Sequence, residues 1–219
     1  MPQKIAFQGE LGADGHESCS TARPDYTPLP CTTFVDAIEA VRSGAAELGM
    51  IAVENSTYGR VADVHSLLPE SGLQIVDETF VRVHINLLGT QDAQLDDVTQ
   101  AFGHPVILPQ CATFLKTNGI RGRVSSDNAR AAREVAAGAD KTVGALASVL
   151  AAEIYGLKTL SKHIEDHDRN TTRFLIMARE PDYTRRGEFG MMTSIDIFLK
   201  KSLCCNILTL KHGYRFTSA

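Results

Sequence analysis

The sequence predicts an α/β protein of two lobes with a cleft between them. Short apolar runs alternate with helix-period segments from residue 4 to residue 178, a pattern that builds largely parallel sheets. The alternation is interrupted once, at residues 73–90, where Val81, Val83, Ile85 and Leu87 are spaced by polar residues over a length suited to strands crossing between lobes. The chain has 219 residues, 43% hydrophobic and 22% charged, enough for one good-sized core or two smaller ones.

Taken in order, Ile5-Ala6-Phe7-Gln8 is strand-like and runs into Gly9-Glu10-Leu11-Gly12-Ala13-Asp14-Gly15. Glycines there let backbone amides approach a ligand, yet the spacing is not that of a nucleotide loop and equally fits a plain strand-to-helix turn. Leu29 to Phe34 is extended, after which Phe34, Ala37, Ile38 and Val41 recur at helical spacing up to Ser43-Gly44. Leu48 to Val53 is an apolar strand ending at Glu54-Asn55-Ser56-Thr57, the carboxyl end where open α/β sheets hold ligands. Val61, Val64, Leu67 and Leu68 mark a helix stopped by Pro69-Glu70-Ser71-Gly72.

Past the crossing, Val98 to Phe102 is a strand, followed by Gly103-His104-Pro105. Pro109 to Leu115 opens a helix with proline in its first turn. Arg123 to Ser126 is a strand, Asp127-Asn128 caps the alanine-rich helix 129–137, and Gly138 closes it. Thr142 to Leu146 and Ser148 to Tyr155 give one more strand and helix, ended by Gly156. The polar segment 159–170 then returns to Leu175-Ile176-Met177-Ala178, a buried strand. Lobe 1 therefore takes residues 1–78 with 165–178, and lobe 2 takes 79–164. Residues 179–190 read as a linker and 191–219 as a tail too short for its own core, with Met191 to Leu199 as one strand.

Composition narrows the function. A net charge of −4 without a basic block argues against nucleic acid. No apolar run reaches membrane-spanning length and the first residues do not resemble a signal peptide, so the cytoplasm is the expected compartment. Five cysteines, an odd number without C-x-x-C spacing, fit reduced thiols. Seven histidines show no paired ligand spacing on a helix, so no metal is expected.

The densest polar cluster is Asn170-Thr171-Thr172-Arg173-Phe174, where a loop feeds a core strand. There an arginine fork suits a carboxylate and a threonine hydroxyl suits a leaving group. The same residues also fit a strand entry that pairs only with neighbouring backbone. Asn55 equally fits a helix cap, His104 a loop histidine, Cys111 a packed thiol and Ser148 a helix start.

Four segments in order carry a resemblance to one family. Asn170 to Phe174 resembles the N-x-T-R-F signature of prephenate dehydratases, and Glu54-Asn55-Ser56-Thr57-Tyr58-Gly59-Arg60-Val61 resembles their E-N-x-x-x-G-x-V segment. Gly103-His104-Pro105 to Gln110-Cys111 is similar to S-H-P…Q-C, and Gly144 to Leu157 to A-L-A-S…A-A…Y-G-L. The resemblance implies a periplasmic-binding-protein-like (type 2) fold with the active site in the inter-lobe cleft. It implies a hydro-lyase of phenylalanine biosynthesis that converts prephenate to phenylpyruvate, water and carbon dioxide without a cofactor. Thr172 matches the catalytic threonine, and Asn55, Gln110, Asn128, Ser148, Arg173 and Phe174 are the implied substrate-binding residues. Arogenate dehydratase, and a two-lobed protein that binds small carboxylates without turnover, are the alternatives.

Three positions depart from the family's commonest residues. Gly15 and Gly103 stand where serine is usual, and Asn128 where threonine is. The family also carries a phenylalanine-binding ACT domain; residues 191–199 resemble its first strand, but its later motifs do not follow. The tail therefore reads as truncated or replaced, as a frameshift would leave it. Lost phenylalanine inhibition and a weakened homo-oligomer, a dimer in the family, are the expectations.

Overall fold

β1 (Lys4–Gln8) buries Ile5, Ala6 and Phe7 completely, as an apolar run without alternation does in a sheet covered on both faces. The computed structural model describes residues 2–167 and 170–182. After β1 come α1 (Asp14–Ala22), β2 (Thr27–Cys31), α2 (Phe34–Arg42), β3 (Leu48–Asn55), the short β4 (Gly59–Arg60), α3 (Ala62–Leu67) and β5 (Gln74–Arg82). The chain then crosses to β6 (Asn86–Gly89) and β7 (Gln100–Gly103). A 3-10 helix, Leu108–Cys111, leads into α4 (Ala112–Thr117), followed by β8 (Arg121–Val124), α5 (Asn128–Gly138), β9 (Val143–Ala147), α6 (Val149–Tyr155) and β10 (Lys158–Ser161). β11 (Thr171–Ala178) brings it back.

Two sheets result, ordered β2-β1-β3-β11-β5 with β4 beside β3, and β10-β6-β9-β7-β8. Strands joined by helices run parallel, β1 with β2 and β3, β7 with β8 and β9. β11 is antiparallel to both β3 and β5, and β6 to both β9 and β10. The sheets are therefore mixed, where the alternating pattern predicts largely parallel ones. A helical crossover forces parallel pairing, but β6 and β11 enter their sheets directly from the other sheet, free of that constraint. β11 fills the gap between β3 and β5.

β11 is covered on both faces. Phe174 and Ile176 pack with Ile5, Phe7, Met50 and α1's Cys19, while Leu175 and Met177 pack with α2's Ala37, Ile38 and Val41 and α3's Val64. In the second sheet Leu87, Ala101, Ile107, Cys111 and Leu146 form one core and Leu88, Ala132, Val135, Ala145 and Ala151 another. Capping chemistry sets the helix starts. Thr33 and Asp36 form a reciprocal capping box on α2, Asp127 accepts the Arg130 N–H at 3.0 Å, and Ser148 accepts the Ala151 N–H at 3.0 Å. α5 runs through Gly138, and the left-handed residue that ends it is Ala139, φ 48°.

The β1–α1 loop is seated on α5 and α6. Gly12, at φ +92°, lies so close to α6 that a Cβ there would stand 2.8 Å from Ala151 Cα, which restricts the position to glycine. Its carbonyl accepts the Ser148 hydroxyl at 2.7 Å, and Leu11's accepts the Tyr155 hydroxyl at 2.8 Å. Glu10 pairs with Arg130 and Arg133 at 3.0 and 2.8 Å. Among the described residues no helix is long and apolar enough to cross a membrane. The part of the expected 179–190 linker beyond residue 182, and residues 191–219, expected to be a remnant of an ACT domain, lie outside the described residues.

Candidate active site

The E-N and N-x-T-R-F segments meet because β3 and β11 are neighbours, with Asn55 opposite Thr172. Asn55 Nδ2 donates to Thr172 Oγ1 at 2.9 Å and to Asn170 Oδ1 at 2.7 Å. Asn55 Oδ1 accepts the backbone N–H groups of Thr57 and Tyr58, both at 2.9 Å. Those two donors fix which end of the amide is oxygen, since a flipped side chain would set N–H against N–H. Asn170 Nδ2 in turn donates to Gln110 Oε1 at 2.6 Å, and Gln110 Nε2 donates to Val106 O at 2.9 Å. The chain of amides thus runs from β3 through the β11 entry to the 3-10 helix of the second half.

Its polarity has a chemical consequence. Thr172 is 8% exposed, and its oxygen already accepts from Asn55. Its own proton meets no acceptor among the described residues, so the hydroxyl is free to donate to a bound molecule. Asn170 is 3% exposed and satisfied on both amide atoms, which makes it the joint between the two halves. Sequence reading places Asn170 in the motif but gives it no role; the signal for one exists only across the sheets.

The other implied residues divide. Successive strand residues face opposite sides, so Arg173 points away from Thr172 and pairs with Glu78 on β5, Nε and Nη2 both 2.7 Å from Oε2. Arg173 braces the sheet. Phe174 is a core residue, 3% exposed. Ser148 caps α6 and gives its proton to Gly12. Asn128 Oδ1 accepts the His104 N–H at 2.8 Å, tying the Gly103-His104-Pro105 turn to α5. None of these four joins the Asn55–Thr172 chain among the described residues.

At position 15, where the resemblance leads to an expectation of serine, the space is filled: a Cβ on Gly15 would stand 2.9 Å from the Phe7 ring, itself stacked on His16 at 5.8 Å between centroids. A Cβ on Gly103 would meet Leu146 at 3.2 Å. Asp14, at the first turn of α1, has its carboxyl pushed up to about 6, by burial first and then by Glu17 and Asp127. Cys111 is no nucleophile, since burial, with Asp166 and Glu165 adding, pushes its thiol up to about 12. Two shallow hollows of 240 and 320 Å³ lie elsewhere, around Val135 and Arg121, and touch none of the chain from Asn55 to Gln110.

A mixed two-sheet α/β scaffold thus brings one hydroxyl and three amides from both halves into a single hydrogen-bonded chain. The family model for prephenate dehydratase matches residues 5–182, and the chain belongs to that family. It is 45% identical over 191 residues to a bifunctional N-acyl-homoserine lactone acylase/prephenate dehydratase of Komagataeibacter europaeus, covering 87% of this chain and 68% of that one. It is 38% identical over 178 residues to the chloroplastic arogenate dehydratase/prephenate dehydratase 1 of Arabidopsis thaliana, 81% of this chain but 45% of the plant protein. Among solved structures, GqqA, described as a novel type of quorum-quenching acylase, superposes with a TM-score of 0.77 at 42% identity, over 89% of this chain and 68% of that one. The prephenate dehydratase of Arthrobacter aurescens in complex with L-Phe matches in fold, with a TM-score of 0.77 at 24% identity over 84% of this chain and 63% of that one.

Proposed function

We propose that this chain is a hydro-lyase that converts prephenate to phenylpyruvate, water and carbon dioxide, with Thr172 as the donor to the departing hydroxyl. One observation supports the reading: Thr172 Oγ1 accepts from Asn55, and its own proton has no acceptor among the described residues. In the reaction the ring carboxylate leaves as carbon dioxide, its electron pair enters the ring, and the 4-hydroxyl departs as water with one proton gained. Aromatisation supplies the driving force. A threonine hydroxyl is a weak acid, so positioning and hydrogen-bond stabilisation of the leaving oxygen outweigh proton transfer itself. Gln110 and Asn170 hold the second half of the molecule against that oxygen's site between the lobes. The free thiols Cys19, Cys31 and Cys111 fit work in a reducing cytoplasm.

The test is phenylpyruvate formation from prephenate by the wild type, Thr172→Ala and Thr172→Ser. Alanine should lower kcat by roughly 10²–10⁴-fold with melting unchanged, and serine should restore a large part. Near-full turnover by Thr172→Ala would remove Thr172 from the chemistry. Arogenate, offered in parallel, decides between the two substrates of the plant relatives. The Komagataeibacter relative favours a second substrate, an N-acyl-homoserine lactone, whose cleavage is read as released homoserine lactone.

A further inference from the structure

The two segments that carry the chain between the sheets bring histidines to the same point. His84 lies on the outgoing segment between β5 and β6; His163 and Glu165 lie on the return between β10 and β11. His84 Nδ1 is 2.8 Å from His163 Nδ1 and 3.1 Å from Glu165 Oε1, and His163 Nδ1 is 3.8 Å from the same oxygen. The rings meet edge-on, centroids 4.3 Å apart. Protons alone serve this triangle poorly. A ring nitrogen either carries a proton or offers a lone pair. If His163 donates to His84, the His84 nitrogen faces the carboxylate as one acceptor against another. If His84 donates, a single proton serves two acceptors.

We propose that His84, His163 and Glu165 bind a first-row divalent transition cation of the zinc class, through the two Nδ1 atoms and Oε1. The three atoms fall on a circle of radius ~1.9 Å, so an ion ~0.8 Å out of their plane is ~2.1 Å from each, the usual zinc–nitrogen and zinc–oxygen distance. That shallow pyramid is three corners of a distorted tetrahedron. Glu165 is held in place, its side chain 6% exposed and Oε2 accepting the Ile85 N–H at 3.0 Å. The imidazoles are 41% and 57% exposed, which leaves the fourth corner to water. His163 sits at φ 52°, left-handed for a non-glycine residue, with its N–H 3.3 Å from Asn86 Oδ1. Two imidazoles and one carboxylate select zinc, cobalt, nickel or copper over magnesium and calcium, which take all-oxygen shells. Bound there, the ion ties the outgoing crossing to the return one. The neighbouring Asp166 N–H donates to Gln110 O at 2.6 Å, so the clamp adjoins the candidate active site without depending on its reading.

Titration calorimetry of the metal-free full chain with zinc chloride tests this. One strong site per chain is expected, with no binding of magnesium at the same concentrations. His84→Ala and His163→Asn should each weaken zinc by about tenfold or more; asparagine tolerates the left-handed backbone, and His84 is exposed, so at least one variant folds. Cobalt reads the ligands: visible bands of a four- or five-coordinate ion without a thiolate charge-transfer band are expected. A thiolate band, or both variants binding zinc within about threefold of wild type, overturns the proposal.

Discussion

A carboxyl that holds its proton to about pH 6 stands out among the individual residues. Asp14 is half-buried at the start of α1 and faces two further acids, Glu17 and Asp127, so the fold favours its neutral form. Because the folded value lies above the ordinary one near 3.8, the folded chain binds the proton more tightly. Its contribution is complete below pH 4 and is lost as pH rises through about 6. Asp14→Asn should therefore match wild type near pH 4 and exceed it at pH 7.5 by at most about 3 kcal/mol, read by urea unfolding at both values. Equal stability of the two proteins at pH 7.5 would mean that Asp14 ionises freely. No sequence signal announces this group, since its burial depends on α5 packing over the β1–α1 loop. Thr172 and Asn55, by contrast, are legible from their motifs. The His84 and His163 pair is not, because 79 residues separate them and ligand spacing along a helix is the pattern that a sequence displays.

Most elements are where hydrophobic period and turn residues put them. β1, β3, α2, α5 and β11 are strongly apolar on the faces that pack, and the caps of α2 and α5 are local in sequence. What is not legible is direction: the apolar run that ends β11, Phe174 to Ala178, reads the same in either orientation, and only its entry from the second sheet makes the strand antiparallel. Close approaches are equally hidden. Gly15 looks like a lost serine in sequence, but Phe7 and His16 occupy the space beside it. Phe7 is fully buried, so the ring would have to shift within the core. Gly15→Ser should therefore cost about 1–3 kcal/mol by overpacking, measured by chemical denaturation. A serine variant as stable as wild type would show that the ring yields and that the family hydroxyl fits.

At the scale of the whole molecule, the candidate site belongs to neither half alone. Asn55 and Thr172 stand on the first sheet, Gln110 on the 3-10 helix of the second, and Asn170 joins them. The β1–α1 loop makes a separate bridge, through Ser148, Tyr155 and the Glu10 pairs with Arg130 and Arg133. These bridges differ in strength. The arginine pairs are half-exposed and screened, worth about 0–1 kcal/mol each, whereas the Ser148 hydroxyl is buried and committed at both ends. A molecule bound between the halves adds a further link, which shows as slower opening of the segments it touches. If prephenate binds as proposed, hydrogen exchange on Thr172→Ala, whose turnover is expected to be slow, should reveal added protection in residues 170–172 and 108–111 together, and in 9–13 if the loop closes on the ligand. The two linked segments must respond at the same prephenate concentration, because one amide chain spans them. Protection confined to one half would place the binding site within that half and leave the Asn170 joint purely structural.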